Sequence, residues 1–196
     1  MTTLLAIQKQ LSSVSTKAAK ASIYKFVPGS QKVYGVKMPF LNELAKKLKA
    51  QGFPMAYALW ESGSFEEKIL AAKLINQIAK TNPQEAINAV WKFSEGIDDW
   101  AVCDTLGMQS LKPISKTHTG ETFGLAKKLN RSNNFWQRRL SLVLVEVFAK
   151  DPKMHSVISS LVTPLEDDKE YYVKRAVVWL KSSMTKKRRK KYLDIQ

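Results

Sequence analysis

The sequence predicts an all-α fold, a solenoid of two-helix repeats with a concave, basic face. Three observations carry this. Apolar residues recur with helical spacing nearly everywhere, a motif returns every 35 to 36 residues, and Lys+Arg 32 against Asp+Glu 17 leaves a net charge of +15.

The helical stripes follow one another along the chain. Phe40, Leu41, Leu44 and Leu48 form the first, and Leu70, Leu74, Ile75 and Ile78 the next. Ile87, Val90 and Trp91 follow, then Leu140, Val143, Leu144 and Val147, then Val173, Ala176, Val177 and Leu180. Spacings of three, four and seven place each set on one helical face. Gly63, Asn82-Pro83, Gly96, Pro113, Gly120, Asp151-Pro152 and Pro164 are expected to punctuate them. Val33 to Val36 is the best strand candidate, and it is too short to count.

The repeat emerges when SFEEKILAAKLINQIAK, DDWAVCDTLGMQSLK, NFWQRRLSLVLVEVFAK and EYYVKRAVVWLKSSM are aligned. Their aromatics Phe65, Trp100, Trp136 and Tyr172 stand 35, 36 and 36 residues apart. Each opens a long helix, and a shorter amphipathic segment separates it from the next. Hairpins of this length bury their apolar faces only against neighbours, so they stack into a curved array. Three residues after each aromatic stand Lys68, Cys103, Arg139 and Arg175, on the same helical face as the aromatic. Trp and Arg together suit a surface that meets a phosphate backbone.

Composition narrows the function classes. At 196 residues, 44% apolar and 25% charged, the chain can bury a sizeable core. One cysteine excludes a disulfide framework and a thiolate-rich zinc site, and two histidines leave little for a His-based metal site. No apolar run reaches the roughly 18 residues needed to span a membrane, and the N-terminus does not resemble a signal peptide. An intracellular, cytoplasmic protein is expected. Six of the positive charges lie in Lys186 to Lys191, yet the remainder still carries +9. The partner expected of such a surface is a polyanion, with nucleic acid foremost. A single domain over 1–183 with a basic tail over 184–196 is the expected organisation.

Catalytic motifs of the common kinds are absent: no Gly-rich phosphate loop, no G-x-S-x-G, no His-Glu-x-x-His. Cys103 reads as a small buried thiol. What stands out is Asp98-Asp99-Trp100-Ala101-Val102-Cys103-Asp104, an acidic cluster inside a basic protein. Asp98 or Asp99 suits a helix N-cap. Asp104 falls a full turn inside, where Asp is a mediocre helix former, and shares a face with Trp100 at i−4. A carboxylate beside an indole on a cationic surface could orient a water or stabilise a developing positive charge.

These residues resemble the AlkD-type DNA alkylation repair family. Trp100 with Asp104, then Phe135-Trp136-Gln137-Arg138-Arg139, then Tyr171-Tyr172-Val173-Lys174-Arg175-Ala176-Val177-Val178-Trp179 look like its successive signatures, about one repeat apart. Upstream, Tyr24 ahead of Tyr34-Gly35-Val36-Lys37-Met38-Pro39 resembles its first block, and Leu59-Trp60-Glu61-Ser62 to Ala71 its second repeat. The similarity covers roughly residues 20–183. It implies a HEAT-like repeat DNA glycosylase that releases positively charged alkylpurines, N3-alkyladenine and N7-alkylguanine, from double-stranded DNA, as a monomer and without metal or organic cofactor. It implies Asp104 as the catalytic carboxylate, with Trp100 and Trp179 flanking the lesion's deoxyribose and backbone. Arg139 would contact a phosphate, and Tyr24 would contact DNA from the first helical pair. Arg138, Trp136 and Arg175, from the same blocks, complete the expected DNA-contacting set. The residue after Trp100, often acidic in the family, is Ala101 here. The alternative is a non-catalytic helical-repeat protein that binds DNA or branched DNA through the same groove.

Overall fold

The computed structural model describes residues 2–28 and 32–185, and among these the fold is all-helical, with no strand. Eleven α-helices follow in order: α1 (Leu4–Ser13), α2 (Lys17–Phe26), α3 (Met38–Lys47), α4 (Gly52–Ser62), α5 (Phe65–Ile78) and α6 (Pro83–Ser94) come first. Then come α7 (Trp100–Gln109), α8 (Thr119–Asn130), α9 (Phe135–Leu144), α10 (His155–Val162) and α11 (Tyr171–Thr185). Short 3₁₀ turns join several of them.

The helices pack in two layers. In one, α3, α5, α7, α9 and α11 each lie against the next; in the other, α4, α6, α8 and α10 do the same, and α1 packs on α4. This is the stacking of a helical-repeat solenoid, in which each hairpin buries its apolar face on its neighbours. The first-layer helices from α5 onward begin at Phe65, Trp100, Phe135 and Tyr171, so Trp136 and Tyr172 are second rather than first residues of their helices. Side-chain caps fix several starts: Ser64 accepts from the Glu67 N–H, Asn82 from Glu85, Asp99 from Val102 and Asn134 from Trp136. Asp99, not Asp98, is therefore the cap of α7.

Burial follows the predicted stripes with two corrections. Leu140, Val143 and Leu144 are buried, but α9 ends at Leu144 and Val147 falls in a 3₁₀ turn, 40% exposed. Gly120 does not break a helix; it lies in the first turn of α8, where the ladder has few bonds to lose. α5 is enclosed rather than amphipathic, with twelve of its fourteen residues buried.

Enclosure puts charged side chains of α5 to structural use. Glu66 is fully buried, and its carboxylate accepts from the backbone N–H groups of Tyr34 (2.9 Å), Gly35 (2.6 Å) and Val36 (3.0 Å). The backbone of residues 34–36 is thus held by a side chain instead of a strand ladder. Gly35 has φ +93°, and a Cβ there would lie 2.7 Å from the Thr16 carbonyl oxygen, so only glycine fits. Between repeats, Gly107 of α7 lets α9 approach; a Cβ would stand 2.6 Å from a Val143 methyl. That close approach brings the polar side chains of α7 and α9 within bonding reach.

At three of the four repeats, the aligned position three after the aromatic has one recurring job. Lys68 donates to the Gly96 carbonyl at 2.9 Å, Cys103 Sγ to the Trp136 carbonyl at 3.8 Å, and Arg139 to the Tyr172 carbonyl at 2.6 Å. Each reaches to the entry of the next first-layer helix. The last helix, α11, runs through Thr185. The basic run Lys186 to Lys191 lies outside the described residues.

Candidate active site

α7, α9 and α11 meet around one open cavity of about 360 Å³. Trp100 is the first residue of α7, and Asp104 lies one turn later on the same face. α9 contributes Arg139. α11 contributes Tyr171, Tyr172, Arg175 and Trp179, whose spacing of four places Tyr171, Arg175 and Trp179 in one row.

Asp104 and Arg139 form a two-pronged ion pair. Arg139 Nε donates to Asp104 Oδ1 at 3.0 Å and Nη2 to Oδ2 at 2.9 Å. The third nitrogen, Nη1, donates to the Tyr172 carbonyl, so the guanidinium ties α7, α9 and α11 together. The arginine side chain is 9% exposed and the aspartate 24%. Burial pushes the Asp104 carboxyl above the usual carboxylate range, and the adjacent Arg139 charge and hydrogen bonds offset that only in part. Each carboxylate oxygen accepts one bond from the fork and keeps capacity for another.

The rings are held as firmly. The Trp100 indole N–H donates to the Phe26 carbonyl at the end of α2, 3.0 Å away. Trp136 packs at 4.9 Å from the Tyr172 ring. Trp100 and Trp179 remain half-buried, with surface facing the cavity.

The candidate residues divide by position. Trp100, Asp104, Arg139, Arg175 and Trp179 come together. Trp136 is core, 9% exposed, and does not line the cavity. Arg138 faces a different cavity, of about 510 Å³, and its guanidinium binds Asp168 twice, at 2.7 and 3.2 Å, and the carbonyls of Ser132 and Asn133. Tyr24 is exposed at a third cavity, beside Lys20, Lys32 and Tyr34. It shares helix α2 with the carbonyl that holds Trp100.

Two neighbouring groups have plain structural jobs. Cys103 is fully buried, and burial raises its thiol well above the ordinary value, which leaves no thiolate for nucleophilic work. Asp98 pairs with Lys68 at 2.8 Å. Among the described residues no three His, Cys, Asp or Glu side chains gather where a metal could bind.

Sequence reasoning missed Tyr171 and the Tyr172 carbonyl as parts of the site. The doubled tyrosine at a helix start was the available signal. A backbone acceptor leaves none.

No helix among the described residues is long and apolar enough to cross a membrane. No curated protein matches the chain. The family model for DNA alkylation repair enzymes matches residues 7–194, nearly the whole length, and the chain belongs to that family.

Proposed function

We propose that this repair protein is a DNA glycosylase that excises positively charged alkylpurines, N3-alkyladenine and N7-alkylguanine, from double-stranded DNA. The observation that carries the reading is one cavity lined together by Asp104, Trp100 and Trp179, with Arg139 and Arg175.

The chemistry suits those side chains. A purine alkylated at N3 or N7 already carries the positive charge that makes it a leaving group. As the C1′–N bond breaks, its electron pair passes to the base, and positive charge develops on the deoxyribose. Asp104 stabilises that charge and accepts a hydrogen bond from the water that attacks C1′, taking up its proton. Aromatic faces on either side attract cationic sugar character by the same electrostatics that bind ammonium groups. Arg139 keeps the carboxylate ionised and aimed, and its unspent N–H groups, with Arg175, are available to a backbone phosphate. The protein works as a cytoplasmic monomer, with no metal or organic cofactor in this scheme. Tyr24 meets the duplex away from the lesion, while Arg138 and Trp136 support the site from behind.

Incubation with DNA carrying N7-methylguanine, with free base measured over time, tests the proposal; no release above the spontaneous rate overturns it. One observation favours a second reading. The Asp104–Arg139 pair satisfies both charges without any chemistry, as a non-catalytic module binding ordinary or branched DNA would require. Tight DNA binding without base release would establish that reading.

A further inference from the structure

Among the buried cations of the described residues, Lys73 is set apart by its surroundings. Lys68 is paired with Asp98 and Arg139 with Asp104. Lys73, 8% exposed, has one hydrogen-bond partner, the neutral Gln109 side-chain oxygen at 3.0 Å. An ammonium carries three protons, so two are unspent. Burying a cation without a counter-charge is costly, and burial accordingly lowers the Lys73 pKa.

Lys73 opens into a polar cavity of about 280 Å³ between α3, α5 and α7, lined also by Asn42, Lys46, Asn76, Gln77 and Gln109. The carboxylate at this cavity, Glu43, is exposed and bound to Lys46 at 2.7 Å, which neutralises it. The cavity therefore offers one uncompensated positive charge and a set of side-chain amides. It lies in the same helical layer as the Asp104 cavity, and α7 borders both: Gln109 stands five residues beyond Asp104.

We propose that this cavity is a phosphate-binding subsite, in which Lys73 holds a phosphodiester of the DNA backbone away from the lesion. The inference rests on the reading that DNA lies along this layer. Asn76 donates to the Gln109 backbone carbonyl at 2.6 Å and Gln77 to the Asn76 side-chain oxygen at 3.2 Å. An anionic oxygen supplies the counter-charge that Lys73 lacks, and the amide N–H groups left over from those bonds donate to the remaining oxygens. Phosphate contacts carry no sequence information, so the subsite adds affinity and register for damaged and undamaged duplex alike.

The test measures binding of the full chain to a short undamaged duplex over a series of salt concentrations. Lys73→Met should weaken binding roughly three- to tenfold and make the log K against log salt slope shallower by about 1. Lys73→Arg should restore most of the affinity. Lys92→Met, on α6 in the other layer, is the charge control and should leave both quantities near the parent values. The melting temperature of Lys73→Met should hold or rise, because an unpaired buried charge has been replaced by an apolar chain; should that variant fail to fold, Lys73→Gln removes the charge and keeps hydrogen bonding. Unchanged affinity and slope in the folded variants overturn the subsite while leaving the DNA reading intact. A parent that binds no duplex overturns both. Inorganic phosphate is the second probe: if it perturbs Lys73 and duplex does not, the site serves free phosphate, and the DNA assignment is wrong.

Discussion

Arg138 and Arg139 are consecutive residues on the first turns of α9, and each grips an aspartate with two nitrogens. Arg139 reaches back to Asp104 on α7, and Arg138 reaches forward to Asp168 in the connection before α11. The chemistry of the two pairs is the same, but the surroundings are not. Burial raises the Asp104 carboxyl, and Arg139 offsets this only in part. Burial also acts on Asp168, but the Arg138 hydrogen bonds, the Glu170 N–H and the charges of Arg138 and Lys174 outweigh it and hold that carboxyl below its ordinary value. Arg138 spends further donors on loop carbonyls, while Asp104 faces rings across an open cavity. One pair is a clasp between repeats; the other keeps a reactive-looking carboxylate in place. A fork-shaped ion pair thus says nothing about function until its carboxylate's environment is known.

Four measurements would break or sharpen this contrast. Asp104→Asn should lower single-turnover release of N7-methylguanine by about 10² to 10³, or roughly 3–4 kcal/mol of barrier. Binding to undamaged DNA should hold or tighten slightly, and release at the parent rate would erase the distinction between the two pairs. Arg139→Gln should cost roughly tenfold or more in rate. It should also move the acid limb of the pH–rate profile. In the proposed mechanism the rate requires ionised Asp104, whose carboxyl is already raised, so activity should be lost as pH falls through a value above the ordinary carboxylate range. Without the arginine, burial acts unopposed and the limb should shift to still higher pH. A limb that stays put would mean that another group titrates.

Asp168→Asn should act on stability instead, costing about 1–3 kcal/mol at neutral pH because it leaves Arg138 without its anion. The sign with pH follows from a lowered carboxyl: its contribution is present above the unfolded value and is lost as pH falls through the folded one. Parent and variant melting temperatures should therefore converge in acid, while single-turnover excision at neutral pH stays near the parent rate. The smallest effect concerns the turn that carries both arginines. Asn134→Ala removes the cap of α9 and should cost about 1 kcal/mol, with both pairs weakened together. A selective loss of excision would show that the cap positions Arg139 more than Arg138.

Much of the fold was legible because its period is local. Helices of 8–15 residues with capping residues and an apolar stripe announce themselves, and the return of an aromatic every 35 or so residues fixed the layer that carries the site. The misreadings came where a stripe outlasts its helix, as at Val147, or where a glycine is tolerated near a helix start, as at Gly120. For the site, Trp100, Asp104, Arg139, Arg175 and Trp179 were legible as a set. Arg138 and Trp136 were not separable from them, because adjacency in sequence hides which face each side chain takes. What turns Arg138 away is Asp168, thirty residues on, and no local pattern records that pairing. The Lys73 environment was equally hidden, since it follows from the enclosure of α5 by its neighbours on every side.

The Trp100 indole has one hydrogen-bond donor, and the Phe26 carbonyl has taken it. Whatever enters the cavity meets an indole with no donor to spare, sensitive to charge and blind to the pattern of donors and acceptors on a base. A wall of this kind can sort cationic from neutral occupants while leaving their identity unread. In the proposed site it would act as a filter for charge, because the one atom that could have read a letter is already used up.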